Sequence, residues 1–189
     1  MFFFVGFVVQ LRFFNMKPVP HAAEAHKTVV LSAGDFYFGG GMTRISTLLG
    51  SCVSITLWHP RKRIGGMCHY MMAERERPVD APLDGRYAVE AFALFLHHVE
   101  LAGTQPSEYQ AKLFGGANMF KSVKGISMDI GARNIEYAHR LLASRHITLI
   151  AEHVAGSGRR KLHFDLWTGD VWLAFPEGEN AEIRNSHGG

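Results

Sequence analysis

The segment Leu49-Gly50-Ser51-Cys52-Val53-Ser54-Ile55-Thr56-Leu57-Trp58-His59-Pro60-Arg61-Lys62-Arg63-Ile64-Gly65-Gly66-Met67-Cys68-His69-Tyr70 constrains this chain more than any other. Two runs rich in Val, Ile, Thr and Leu flank a polar turn that contains a proline, the pattern of an antiparallel hairpin. A turn centred on Pro60-Arg61 sets Cys52 opposite His69. The two-residue period then puts Val53, Ile55, Leu57, Ile64 and Cys68 on one face, expected to be core, and Cys52, Ser54, Thr56, Met67 and His69 on the other. Directly opposed residues have Cβ atoms about 4.5–5.5 Å apart, so a thiol and an imidazole there come within reach as nucleophile and base. A neighbouring imidazolium would favour the thiolate. A β-bulge would break this geometry.

Other readings of the same residues stay open. A free cysteine is often simply buried, and a histidine beside it is often a hydrogen-bonded structural group. Cys68, on the apolar face, fits that description. Zinc binding by Cys52, His59, Cys68 and His69 would draw ligands from both faces of the hairpin, so no metal is expected.

Composition narrows the classes. The chain has 189 residues, and at 47% hydrophobic and 20% charged it is globular rather than disordered. Two cysteines cannot make a secreted disulfide framework or a four-cysteine zinc site, which favours a cytoplasmic setting with free thiols. A net charge of +3 gives little purchase on nucleic acid, and no aromatic-basic RNA motif or recognition helix is evident.

Met1 to Phe14 is almost wholly apolar, but it is shorter than the roughly 20 residues of a spanning helix, so no stable membrane insertion is expected. It lacks the cationic start and cleavage site of a signal peptide, and Met16 offers an alternative start. Residues 1–27 are therefore expected to lie outside the fold, 28–176 to form one domain, and 177–189 to be a flexible tail. Within the domain, strands are expected at Val29 to Leu31, Arg44 to Trp58, Ala111 to Phe114 and Ile147 to Val154, and Gly39-Gly40-Gly41 reads as a turn. Helical periodicity covers Arg86 to Leu101 and Asn134 to His146. A hairpin around Thr168-Gly169 joins Lys161 to Trp167 with Asp170 to Phe175. Mixed strands and helices with several hairpins predict an α+β layered sandwich: mixed and antiparallel sheets flanked by two to three helices.

Leu48-Leu49-Gly50-Ser51-Cys52-Val53, Gly65-Gly66-Met67-Cys68-His69, Lys112-Leu113-Phe114-Gly115-Gly116-Ala117-Asn118-Met119-Phe120 and Gly131-Ala132-Arg133-Asn134-Ile135 together resemble the chemoreceptor glutamine deamidase family, CheD. The likeness runs on through Gly158-Arg159-Arg160-Lys161, Phe164-Asp165 and Thr168-Gly169-Asp170-Val171. The resemblance implies hydrolysis of glutamine side chains to glutamate on methyl-accepting chemotaxis receptors, with release of ammonia and no cofactor. It implies Cys52 as nucleophile, His69 as general base, and a hydroxyl that orients the histidine at Ser46 or Thr47. It also implies a layered α/β fold and, in some lineages, a chemotaxis phosphatase as a partner. Ala155-Gly156 stands where the family more often carries Gly-Gly.

Gly115, Gly116 and Asn118 read either as a tight turn or as substrate contacts. Gly156 to Lys161 reads as a solvated basic turn, in which Arg159 and Arg160 would meet an acidic receptor helix, as would Arg61-Lys62-Arg63.

Overall fold

The structure, a computed structural model, describes residues 25–118 and 130–176. The expectations for the apolar N-terminus, for Met119 and Phe120, and for the C-terminal tail lie outside these residues. Nine strands and two α-helices follow in the order β1 (Lys27–Leu31), β2 (Phe36–Gly40), β3 (Thr43–Leu49), β4 (Val53–His59), β5 (Ile64–Cys68), α1 (Ala88–Leu101), β6 (Gln110–Gly115), α2 (Ile130–Ser144), β7 (Thr148–Val154), β8 (Arg160–Asp165) and β9 (Val171–Ala174) among the described residues. They build two sheets, one ordered β1-β3-β8-β9 and the other β2-β5-β4-β6-β7. Each is mixed, with one parallel pair apiece, β1 with β3 and β6 with β7. This is the expected α+β layering.

The five-stranded sheet is the middle layer. One of its faces packs on the helices, where Val53, Ile55, Leu57 and Cys68 meet Ala91, Phe95, Val99, Ala138 and Leu142. The buried residues of α1 recur at helical spacing, and sinking a side chain the size of Phe95 contributes about 1.5–3 kcal/mol. The opposite face packs on the four-stranded sheet, with Met67 and Phe114 against Ile45, Leu49, Leu162 and Phe164. The Cys52 side of the hairpin is therefore interior as well.

Three expectations change. The run from Arg44 to Trp58 is two strands, β3 in one sheet and β4 in the other, and the chain crosses between sheets at Gly50-Ser51-Cys52. Gly39 and Gly40 belong to β2 rather than to a turn. That strand lies so close to β5 that a Cβ on Gly66 would stand 2.2 Å from the Tyr37 carbonyl oxygen, so glycine serves pairing here. The hairpin register also moves by two. His59 pairs with Ile64 and Val53 bridges Tyr70, which sets Ser54 opposite His69 and Cys52 opposite Met71. The cause is a four-residue turn, Pro60 to Arg63, closed by the Arg63 amide on the His59 carbonyl at 2.9 Å with Arg63 in the left-handed region at φ 51. A shift of two preserves the faces, so Cys52 and His69 still share one, as diagonal neighbours.

Candidate active site

Cys52 ends the loop that carries the chain from one sheet to the other. The loop is held by its carbonyls: the Gly116 amide donates to Cys52 at 2.8 Å and the Ala117 amide donates to Gly50 at 2.9 Å. Gly115 must lack a side chain, because a Cβ there would lie 2.1 Å from the Cys52 carbonyl oxygen, and its φ of 107 already excludes most residues. Gly116 and Gly131 approach almost as closely, a Cβ on Gly131 falling 2.5 Å from the Gly116 oxygen.

His69 follows β5. Its backbone is fixed from the β1–β2 connection, since its amide donates to Asp35 at 3.0 Å and its carbonyl accepts from the Gly34 amide at 2.7 Å. Its ring is fixed by Thr47, whose Oγ1 lies 2.8 Å from Nδ1. The same hydroxyl donates its single proton to the Leu31 carbonyl at 2.8 Å. A carbonyl only accepts, so Thr47 must accept from His69, and Nδ1 carries the proton. The lone pair of the neutral ring is then on Nε2, which is buried and has no partner among the described residues. Ser54, opposite His69, also has a buried Oγ without a partner there.

Burial pushes the Cys52 thiol above its usual 9.0, with its own backbone amide pulling the other way. Burial holds the His69 imidazole below 6.5, opposed by the Leu31 carbonyl and the Asp35 carboxylate. Both shifts disfavour the charged forms, so at neutral pH burial favours a neutral thiol and a neutral imidazole.

The other expected residues divide. Ser46 neighbours Thr47 on β3 and so turns to the opposite face, alongside its strand partners Val30 and His163. Gly115 and Gly116 are buried under the Cys52 loop, whereas Asn118 and Arg159 are exposed. Arg160 is not part of a solvated turn: it is 1% exposed, and its guanidinium donates to the carbonyls of Gly115, His153 and Ala155. Arg61, Lys62 and Arg63 sit at the far end of β4, about 20–25 Å from Cys52 at about 3.3 Å per strand residue. There Arg61 pairs with Glu108 and Lys62 donates to the Ala102 carbonyl, so this turn does not flank the site. No group of three or more His, Cys, Asp or Glu is placed to hold a metal ion among the described residues, and His59 and Cys68 lie on the helix side of the hairpin.

A family model described as CheD chemotactic sensory transduction matches residues 71–175, more than half of the chain. The chain belongs to the CheD family. A Dechloromonas aromatica protein named "Probable chemoreceptor glutamine deamidase CheD 3" is 68% identical over 166 residues, covering 88% of this chain and 97% of its own. A CheD relative from Pseudomonas fluorescens with the same deamidase name is 46% identical over 147 residues, 77% of this chain and 82% of that one. One from Chromobacterium violaceum is 42% identical over 168 residues, 88% and 86%. The CheD model begins two residues beyond His69, but an alignment spanning 88% of the chain leaves too few residues aside for position 52 or 69 to escape it. A solved structure, that of a Neisseria meningitidis protein, overlaps 70% of the chain at 11% identity with a TM-score of 0.35, too loosely to bear on the fold. Among the described residues no helix is long and apolar enough to cross a membrane.

Proposed function

We propose that this CheD-family chain is a cytoplasmic enzyme that deamidates glutamine side chains of chemotaxis receptors, with Cys52 as nucleophile, His69 as general base and acid, and Thr47 as the residue that holds the base in its working tautomer. The observation that carries the reading is the chain Leu31 carbonyl, Thr47 hydroxyl, His69 Nδ1, which leaves a buried Nε2 lone pair, without a partner among the described residues, on the hairpin face that bears Cys52.

In this scheme Nε2 takes the thiol proton as the sulfur attacks the carboxamide carbon. The C=O π pair moves onto oxygen, and the backbone amides of Ser51 and Cys52, which lie between β3 and β4, are the donors this scheme assigns to that oxyanion. Collapse of the adduct breaks the C–N bond, the imidazolium gives its proton to the departing nitrogen, and ammonia leaves a thioester. Water then attacks the thioester carbon while Nε2 accepts its proton. Cleavage of the C–S bond regenerates the thiol and yields glutamate. Thiol, imidazole and water account for every proton and electron pair, so the scheme calls on no cofactor.

The test is incubation with receptor cytoplasmic fragments and mass spectrometry. Each deamidated glutamine gains about 1 Da, the difference between amide and acid that hydrolysis through a thioester leaves. Cys52→Ala should remove the gain. No gain from folded wild-type protein on any receptor fragment would overturn the reading and favour a binding role, such as an adaptor for a chemotaxis phosphatase.

A further inference from the structure

Arg160 is a buried cation that the catalytic scheme leaves unused. On the backbone it pairs with Leu49, the last residue of β3 before the Gly50-Ser51-Cys52 loop. Its side chain then crosses to the other sheet, where Nη1 donates to the His153 carbonyl at 2.8 Å and to the Gly115 carbonyl at 3.3 Å, and Nη2 donates to the Ala155 carbonyl. No carboxylate forms a salt bridge with it among the described residues. Burial accordingly lowers its pKa. A desolvated charge with no carboxylate partner among the described residues is costly to keep, and here three carbonyl contacts offset it.

One of those contacts bears on Cys52. The Gly115 carbonyl and the Gly116 amide are the two ends of a single planar peptide unit. Arg160 and the Ala155 amide, at 2.9 Å, hold its oxygen, and its N–H donates to the Cys52 carbonyl at 2.8 Å. Whatever orients that plane orients the loop, and a cation on the carbonyl also polarises the amide toward its acceptor.

We propose that Arg160 is a positioning residue for the nucleophile loop: through the Gly115–Gly116 peptide it fixes where the Cys52 backbone, and hence its sulfur and amide, stand. The proposal rests on the deamidase reading above. Arg160 touches no substrate in it, which replaces the substrate-docking role read from sequence. Lysine cannot substitute, because a single ammonium lacks the planar fork that reaches three carbonyls from two strands.

Arg160→Lys keeps the charge and most of the stem, and Arg160→Gln removes the charge. In both, kcat on a receptor fragment should fall about 10²-fold with KM little changed, the scale of a misplaced reacting group. In amide hydrogen exchange, Gly116 and Ala117 should lose protection while Leu113 and Ile55 keep theirs. Alkylation of Cys52 by iodoacetamide across pH should keep its wild-type midpoint, since the guanidinium acts on the loop and not on the thiol. An effect confined to KM would return Arg160 to substrate docking. Uniform loss of protection would make it an ordinary stability residue, and a moved midpoint would make it an electrostatic one. Each of these overturns the proposal, as would a fully active Arg160→Lys. If wild-type protein leaves receptor fragments unmodified, the deamidase reading fails alone, and exchange and alkylation still decide the role of Arg160.

Discussion

Thr47 accepts a hydrogen bond from His69 Nδ1 at 2.8 Å while it donates to the Leu31 carbonyl at the same distance. Three strands thus converge on one ring, β1 through a carbonyl, β3 through a hydroxyl and the end of β5 through the imidazole itself. Thr47→Val removes the acceptor and frees the tautomer. Its kcat should fall about tenfold or more, part of the 10²–10⁴ that a positioned base contributes. Thr47→Ser should retain most activity, and Ser46→Ala, on the opposite face, should match wild type. Steady-state deamidation of a receptor fragment separates the three.

The pH dependence follows from the direction in which burial moves the imidazole. As the proposed base, His69 has to be neutral to take a proton, and burial lowers its pKa below 6.5. The rising limb of kcat/KM should therefore be centred below pH 6.5, with the thiol still protonated there because burial raises Cys52 above 9.0. A limb centred above pH 7 would point instead to titration of the thiol.

The same sign governs stability. Burial holds His69, His98, His153 and His163 all below the ordinary 6.5. Below that pH the unfolded chain takes up protons that the fold refuses, so more protons are bound in the unfolded state and stability falls as pH is lowered. Thermal melts should give a lower Tm at pH 5 than at pH 7.5.

The two cysteines should differ in reactivity. Cys68 is fully buried with its thiol pushed up to about 12, whereas Cys52 is half-buried. Iodoacetamide on native protein should label Cys52 and spare Cys68, and labelling should stop activity. Peptide mapping by mass spectrometry identifies the site.

Ala155 adopts φ 58 in the left-handed region, where an L side chain costs about 1–2 kcal/mol. Glycine, with no Cβ, adopts this conformation without that cost. Ala155→Gly should stabilise by about 0.5–1 kcal/mol after glycine's own entropy is counted, a Tm gain of about 2 °C for a chain of this size. Calorimetry measures it.

Much of this was legible in the chain. Alternation along β4 and β5 assigned Cys52 and His69 to one face and Cys68 to the other, because a strand's period of two survives any even shift of register. Apolar spacing located both helices, and the ordered motifs pointed to the family. Tertiary structure decided the rest. It moved the register by two, because a four-residue turn with Arg63 at positive φ closes the hairpin, and local composition did not fix that turn's length. It split Arg44 to Trp58 between two sheets, since strand propensity does not say which neighbour a strand will pair with. It set Thr47 rather than Ser46 against His69 by strand face, and it buried Arg160 by bringing three carbonyls from Gly115, His153 and Ala155 around it. A sequence carries residue types and spacings, but a hydrogen bond between residues 22 or 45 positions apart exists only once the sheets have packed.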